Sequence, residues 1–93
     1  MFDNLTENSI LNITWVDSIA LEGWIGKDDE KIFNSELPVI KSVGYLIKEF
    51  DDSLAITAHI SENHYHSYMR IPKVSIKSVE CLWPNLIINN EEK

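Results

Sequence analysis

With 93 residues, 44% of them hydrophobic, the chain is long enough for one compact domain and too short for two domains that each have a core. Its 15 acidic residues against 8 Lys and Arg give a net charge of −7, which disfavours direct binding to DNA or RNA and permits docking on a basic protein surface. The single cysteine excludes an internal disulfide, and the absence of a long apolar run argues against a signal peptide or membrane span, so we expect a cytoplasmic protein.

The first predicted strand covers residues 9–17, where Leu11, Ile13 and Trp15 recur at every second position. Residues 18–38 contain two glycines and a charged run, which together predict a long loop with one helical turn near residues 29–33. An α+β arrangement with a full helix at residues 26–34 is the alternative.

A β-hairpin is the clearest prediction in the middle of the chain. Residues 39–50 form a long strand pattern with apolar side chains on both faces, and residues 54–60 alternate strictly. Asp51, Asp52 and Ser53 between them favour a turn.

Two further strands are predicted after the hairpin. Residues 61–66 are polar and predict a loop, after which residues 68–71 form a strand pattern that Pro72 interrupts. The tripeptide 73–75 has the length of a single 3-10 turn, and residues 76–82 are again strand-like.

Together these elements predict a mostly β fold, a small SH3-like or Sm-like partly open barrel of about five strands. We expect residues 1–8 to be a lead, residues 9–83 the single domain and residues 84–93 a tail. Leu86, Ile87 and Ile88 make the tail apolar, so it either completes the domain's own sheet or adds a strand to a neighbour's edge. We favour the second, and therefore a homo-oligomer.

Six short stretches form a further pattern: Trp15-Val16-Asp17-Ser18, Gly23-Trp24, Ser42-Val43-Gly44-Tyr45-Leu46-Ile47, Asp51-Asp52, Ile71-Pro72-Lys73 and Ile76-Lys77-Ser78-Val79-Glu80. As a set, they resemble a group of small phage and prophage proteins of unassigned function. The resemblance implies a mobile-element origin and a compact β-rich domain that works inside a host cell. Small accessory phage proteins often occupy a host protein or trap a signalling nucleotide. The acidic first loop and the tail depart from the shared pattern.

The histidines are the strongest metal signal in the sequence. His64 and His66 lie two residues apart with Glu62 nearby, an arrangement that a metal-dependent hydrolase could use. No second ligand pair of recognisable spacing accompanies them, so we expect no metal site and no cofactor.

No catalytic residue is predicted either. Ser61 and Ser67 lack the strand–turn–helix setting of a nucleophile, and Cys81 is expected to be a buried, unreactive thiol. The carboxylates at residues 28–30 and 51–52 fall in loops, where they stay ionised.

The remaining aromatic and charged side chains predict a contact surface. Trp15, Tyr45 and Phe50 follow strand patterns and are expected in the core, whereas the aromatic residues near loops either fold back, as Trp24 would to cap the open end, or contact a partner. The predicted partner-binding residues are Trp24, Lys27, Asp28, Asp29, Glu30, His64, Tyr65, His66, Tyr68 and Arg70.

These observations favour a non-enzymatic protein that binds a host protein stoichiometrically, as a host-takeover or anti-defence inhibitor. One alternative is a nucleotide trap, in which Arg70 and Lys73 would hold the phosphate of a defence signalling molecule. The other alternative is the metal-dependent hydrolase that uses the histidine cluster.

Overall fold

The structure, a computed structural model, describes residues 5–84. Five antiparallel strands form one sheet in the order β4-β3-β2-β1-β5. The elements along the chain are β1 (Ile10–Val16), α1 (Glu30–Asn34), β2 (Val39–Glu49), β3 (Ser53–Ile60), β4 (Tyr65–Pro72), a 3-10 turn (Lys73–Ser75) and β5 (Ile76–Trp83). The predicted mostly β, partly open fold of about five strands is confirmed, and the sheet does not close into a barrel.

The core lies on one face of this sheet. In β1, Leu11 and Ile13 are fully buried, as their alternation predicts, and they lie opposite Gly44 and Ser42 of β2. The small side chains of β2 leave room for the large ones of β1. The buried cluster consists of Leu11, Ile13, Leu46, Leu54, Ile56, Ile71 and Ile76, with Leu5, Trp15 and Val79 packed against it.

The predicted hairpin is present, and it bends. A register shift lies between Leu46 and Lys48, so that β2 has an extra residue there relative to β3. The first five residues of β3 are buried and the last three are exposed. Pairing with β2 reaches Thr57, so the end of the β3–β4 hairpin extends past the core. We call residues 58–67 the β3–β4 tip.

The helical turn predicted in the first loop is also present. Asp29 caps α1 by accepting a hydrogen bond from the backbone amide of Lys31 at 2.9 Å. The helix has five residues and no buried side chain. The alternative α+β arrangement is therefore wrong, because α1 adds nothing to the core.

Two predictions about local structure are wrong. Tyr65 and His66 were expected in a loop but begin β4, where they pair with Ile60 and His59. These backbone pairs hold β4 extended although nearly all of its side chains are exposed. Cys81, expected to be buried, is exposed because it lies on β5, an outer strand of the open sheet.

The 3-10 turn between the last two strands is confirmed. The predicted apolar tail at Leu86–Ile88, and part of the predicted lead, lie outside the described residues. Among residues 5–84, no helix has the length and hydropathy needed to cross a bilayer.

Candidate binding surfaces

The long connection between β1 and β2 is one candidate surface. We call residues 17–38 the first loop. No residue of this segment is buried, and the side chain of Trp24 is fully exposed. The prediction that Trp24 folds back to cap the sheet is therefore wrong. Further large apolar side chains are exposed in the same segment: Ile19, Leu21, Ile32, Phe33 and Leu37.

The first loop is also acidic. It contains six carboxylates against two lysines, and the predicted contact residues Lys27, Asp28 and Glu30 are all exposed in it. Asp29 is half-buried because its side chain caps α1. Four of the five predicted first-loop contacts are thus open to a partner, and the fifth caps the helical turn.

The base of the first loop is fixed to the sheet. The Asp17 amide donates to the Pro38 carbonyl at 3.0 Å, which joins the two ends of the segment. Leu37 lines an open cavity of about 460 Å³ together with Val74 and Ile76, which lie beyond β4. The first loop, which contains the exposed apolar residues, is thus attached to the sheet at a fixed position.

The β3–β4 tip is the second candidate surface. His59, Ile60, His64, Tyr65 and His66 line a cavity of about 310 Å³ there. All of these side chains are exposed, and Tyr68 continues the row along β4. The sequence predicted His64, Tyr65, His66 and Tyr68 as one contact group, and the structure places them along one hairpin.

Arg70 lies on the same strand but in a different setting. Its Nε donates to the Ser53 hydroxyl at 2.6 Å, and a terminal nitrogen of its guanidinium lies 3.2 Å from an Asp52 carboxylate oxygen. The guanidinium also stacks 3.7 Å from the centre of the Phe50 ring. The Ser53 hydroxyl, which donates to Asp52, and then Arg70 lower the pKa of the Asp52 carboxyl below its ordinary value.

These contacts bear on the nucleotide-trap hypothesis. Lys73, its second cation, lies 2.7 Å from a carboxylate oxygen of Glu49. A phosphate would have to displace Asp52 from Arg70 and Glu49 from Lys73. The arrangement therefore disfavours an anion site at these two residues.

The predicted contact residues do not form a single site. The cavity at the base of the first loop and the cavity at the β3–β4 tip have no residue in common. Exposed apolar residues that were not predicted as contacts accompany Trp24, and Phe33 among them is 71% exposed. One signal in the sequence could have indicated these exposed residues. Large apolar residues occur there within a segment that is otherwise acidic and contains glycines.

His59, which was not predicted as a contact residue, is the partner of His66. The structure pairs His66 with His59 across the two strands, with ring centroids 5.4 Å apart, rather than with His64. Within residues 5–84 no group of three or more His, Cys, Asp or Glu side chains is arranged to hold a metal ion. Comparisons with protein-family models, curated proteins and solved structures find no match to this chain.

Proposed function

We propose that the chain is a non-enzymatic binding protein of phage type, which inhibits a host protein by stoichiometric binding in the host cytoplasm. The observation that supports this proposal most directly is the first loop, a segment without a buried residue that exposes Trp24, Phe33 and Leu37. Large apolar side chains that are exposed together in one segment, rather than scattered singly, are typical of interaction sites.

The chemistry of the segment indicates the kind of partner. Trp and other aromatic side chains contribute a large part of the binding energy at protein interfaces when a partner pocket covers them. The surrounding carboxylates would meet a basic surface and accelerate association with it. The partner we expect is therefore a protein with an apolar pocket surrounded by Lys and Arg.

Matched tryptophan variants test this proposal. The wild-type chain, Trp24→Ala and Trp83→Ala are used to capture proteins from the host cytoplasm, and the affinity for the captured, purified partner is then measured. We expect Trp24→Ala to weaken binding by about thirtyfold, the cost of a typical central aromatic contact. Trp83 is exposed on β5 outside the first loop, so Trp83→Ala should bind like the wild type.

Salt dependence provides the second measurement. If carboxylates of the first loop meet a basic surface, raising the ionic strength from about 0.05 M to about 0.5 M should slow association markedly. Unchanged affinity in Trp24→Ala, with the fold intact by circular dichroism, would contradict the proposal.

A further inference from the structure

The β3–β4 tip holds two histidines directly opposite each other. His59 and His66 are paired residues of the antiparallel ladder, so their side chains leave the sheet on the same face. Their ring centroids are 5.4 Å apart and their planes meet at 61°. Both side chains are exposed, and a small ligand can reach them without opening the fold.

A buried hydroxyl fixes the backbone beneath this pair. The Thr57 side chain lies 3.1 Å from the His59 carbonyl oxygen and 2.7 Å from the His66 carbonyl oxygen. Thr57 itself is 1% exposed. The two Cα atoms therefore have a set separation, and the imidazoles are brought together before any ligand arrives.

One ring is also oriented. The Nδ1 atom of His66 lies 3.1 Å from the hydroxyl of Ser67, whose backbone has a φ of 64°. When Nδ1–H donates to that hydroxyl, the Nε2 lone pair points away from it and is available to a ligand. Histidines that bind metals usually have such a hydrogen bond on the other ring nitrogen.

We propose that His59 and His66 form a two-imidazole site for a divalent transition-metal ion such as Cu²⁺ or Zn²⁺. A metal bonded to an imidazole nitrogen at about 2.0–2.1 Å lies about 3.2 Å from the ring centroid, so two imidazoles on one tetrahedral metal have centroids about 5.2 Å apart. The observed separation of 5.4 Å is close to that spacing. The exposed side chains can rotate about their χ bonds to aim both nitrogens at that point. Water completes the coordination.

Titration calorimetry with the full, untagged chain tests the site. Cu²⁺ and Zn²⁺ should each bind saturably, with Cu²⁺ the tighter because imidazole ligands follow that order. Mg²⁺, which prefers oxygen ligands, should not bind there. Affinity should fall as the pH is lowered, because only the neutral imidazole is a ligand.

Three single variants assign the ligands. His59→Ala and His66→Ala should each lower the Cu²⁺ affinity by at least about tenfold, because each removes one of only two protein ligands. His64→Ala is the matched control, since His64 lines the same cavity but is not part of the facing pair, and its affinity should stay within about twofold of the wild type.

A further variant tests the positioning role of Ser67. Ser67→Ala should weaken binding less than either ligand variant, because it removes only the orienting hydrogen bond. The absence of saturable binding below millimolar metal would overturn the proposal. Equal losses in His64→Ala and His59→Ala, or affinity retained in both His59→Ala and His66→Ala, would overturn it as well. Circular dichroism of each variant separates loss of ligand from loss of fold.

Discussion

Phe50, where β2 turns into β3, has two cations close to its ring. The Lys48 ammonium lies 5.0 Å and the Arg70 guanidinium 3.7 Å from the centre of its ring. Because Arg70 also bonds to Ser53 and Asp52, one side chain joins β4 to the β2–β3 turn. These contacts give Arg70 a structural role in addition to its predicted role in binding.

The pKa of Asp52 gives this contact a pH dependence. Since its pKa is lower in the folded than in the unfolded chain, the stabilisation is fully present above about pH 4 and is lost as the pH falls through the folded value. Asp52→Asn should therefore lower the melting temperature slightly at neutral pH, and the difference from the wild type should shrink below about pH 4.

Asp51→Asn is the control for that comparison. It removes a charge from the same turn and leaves the Asp52–Arg70 pair in place. A melting temperature of Asp52→Asn equal to that of the wild type from neutral to acidic pH would show that the pair adds nothing to stability.

The sequence could not predict this contact. Asp51 and Asp52 follow a strand pattern, and the turn predicted there is present. A turn position by itself predicts only that their carboxylates are solvated. Arg70 reaches Asp52 because β4 returns alongside β3, and such a pairing depends on the register between strands distant in sequence.

Alternation of apolar residues predicted the strands that contribute side chains to the core. β1 and β2 bury alternate residues, β3 buries its first five residues in succession, and β5 buries Ile76. The positions of these four strands were anticipated to within one or two residues. β4 was predicted four residues too short, because it begins three residues earlier, at Tyr65, and ends one residue later, at Pro72. The first six residues of β4 are exposed, and the backbone hydrogen bonds that hold them extended leave no periodic signal in the side chains.

Gly44 allows the close approach of β2 and β3. A Cβ atom at this position would lie 2.9 Å from the Thr57 carbonyl oxygen and 3.3 Å from side-chain atoms of Ile56. We expect Gly44→Ala to destabilise the fold by about 1–3 kcal/mol, because the crowded backbone of β3 would have to move. Urea unfolding monitored by circular dichroism measures this change.

Gly26→Ala is the matched control for Gly44. A Cβ atom there would meet only Asp28 Oδ1 at 3.6 Å, an ordinary contact, so stability should change little. Equal unfolding midpoints for Gly44→Ala and the wild type would show that β2 and β3 separate easily.

Among residues 5–84, more large apolar side chains are exposed than buried. The described sheet also ends on two outer strands, β4 and β5. An open sheet with these properties tends to pair with other chains unless its edges are protected. The mostly β fold and its long first loop were predictable from the sequence. The extent of the exposed apolar surface was not, because it depends on which apolar side chains are not buried in the core.

We therefore expect the chain to self-associate in solution. Light scattering at increasing concentration should give a mass above the 10.7 kDa of one chain. Tyr68→Lys places a charge on β4, which should lower the measured mass because charged edge residues oppose pairing between sheets. Ile32→Lys adds the same charge in α1 and should leave the mass unchanged. A single-chain mass at every concentration would contradict self-association.

The exposed position of Cys81 has a practical consequence. As the chain's one thiol, it cannot crosslink the chain internally, and oxidation can only join it to another molecule. Handling without a reductant would therefore produce covalent pairs linked through β5. A thiol-reactive dye would attach at that single point, giving a homogeneous label on an outer strand of the sheet.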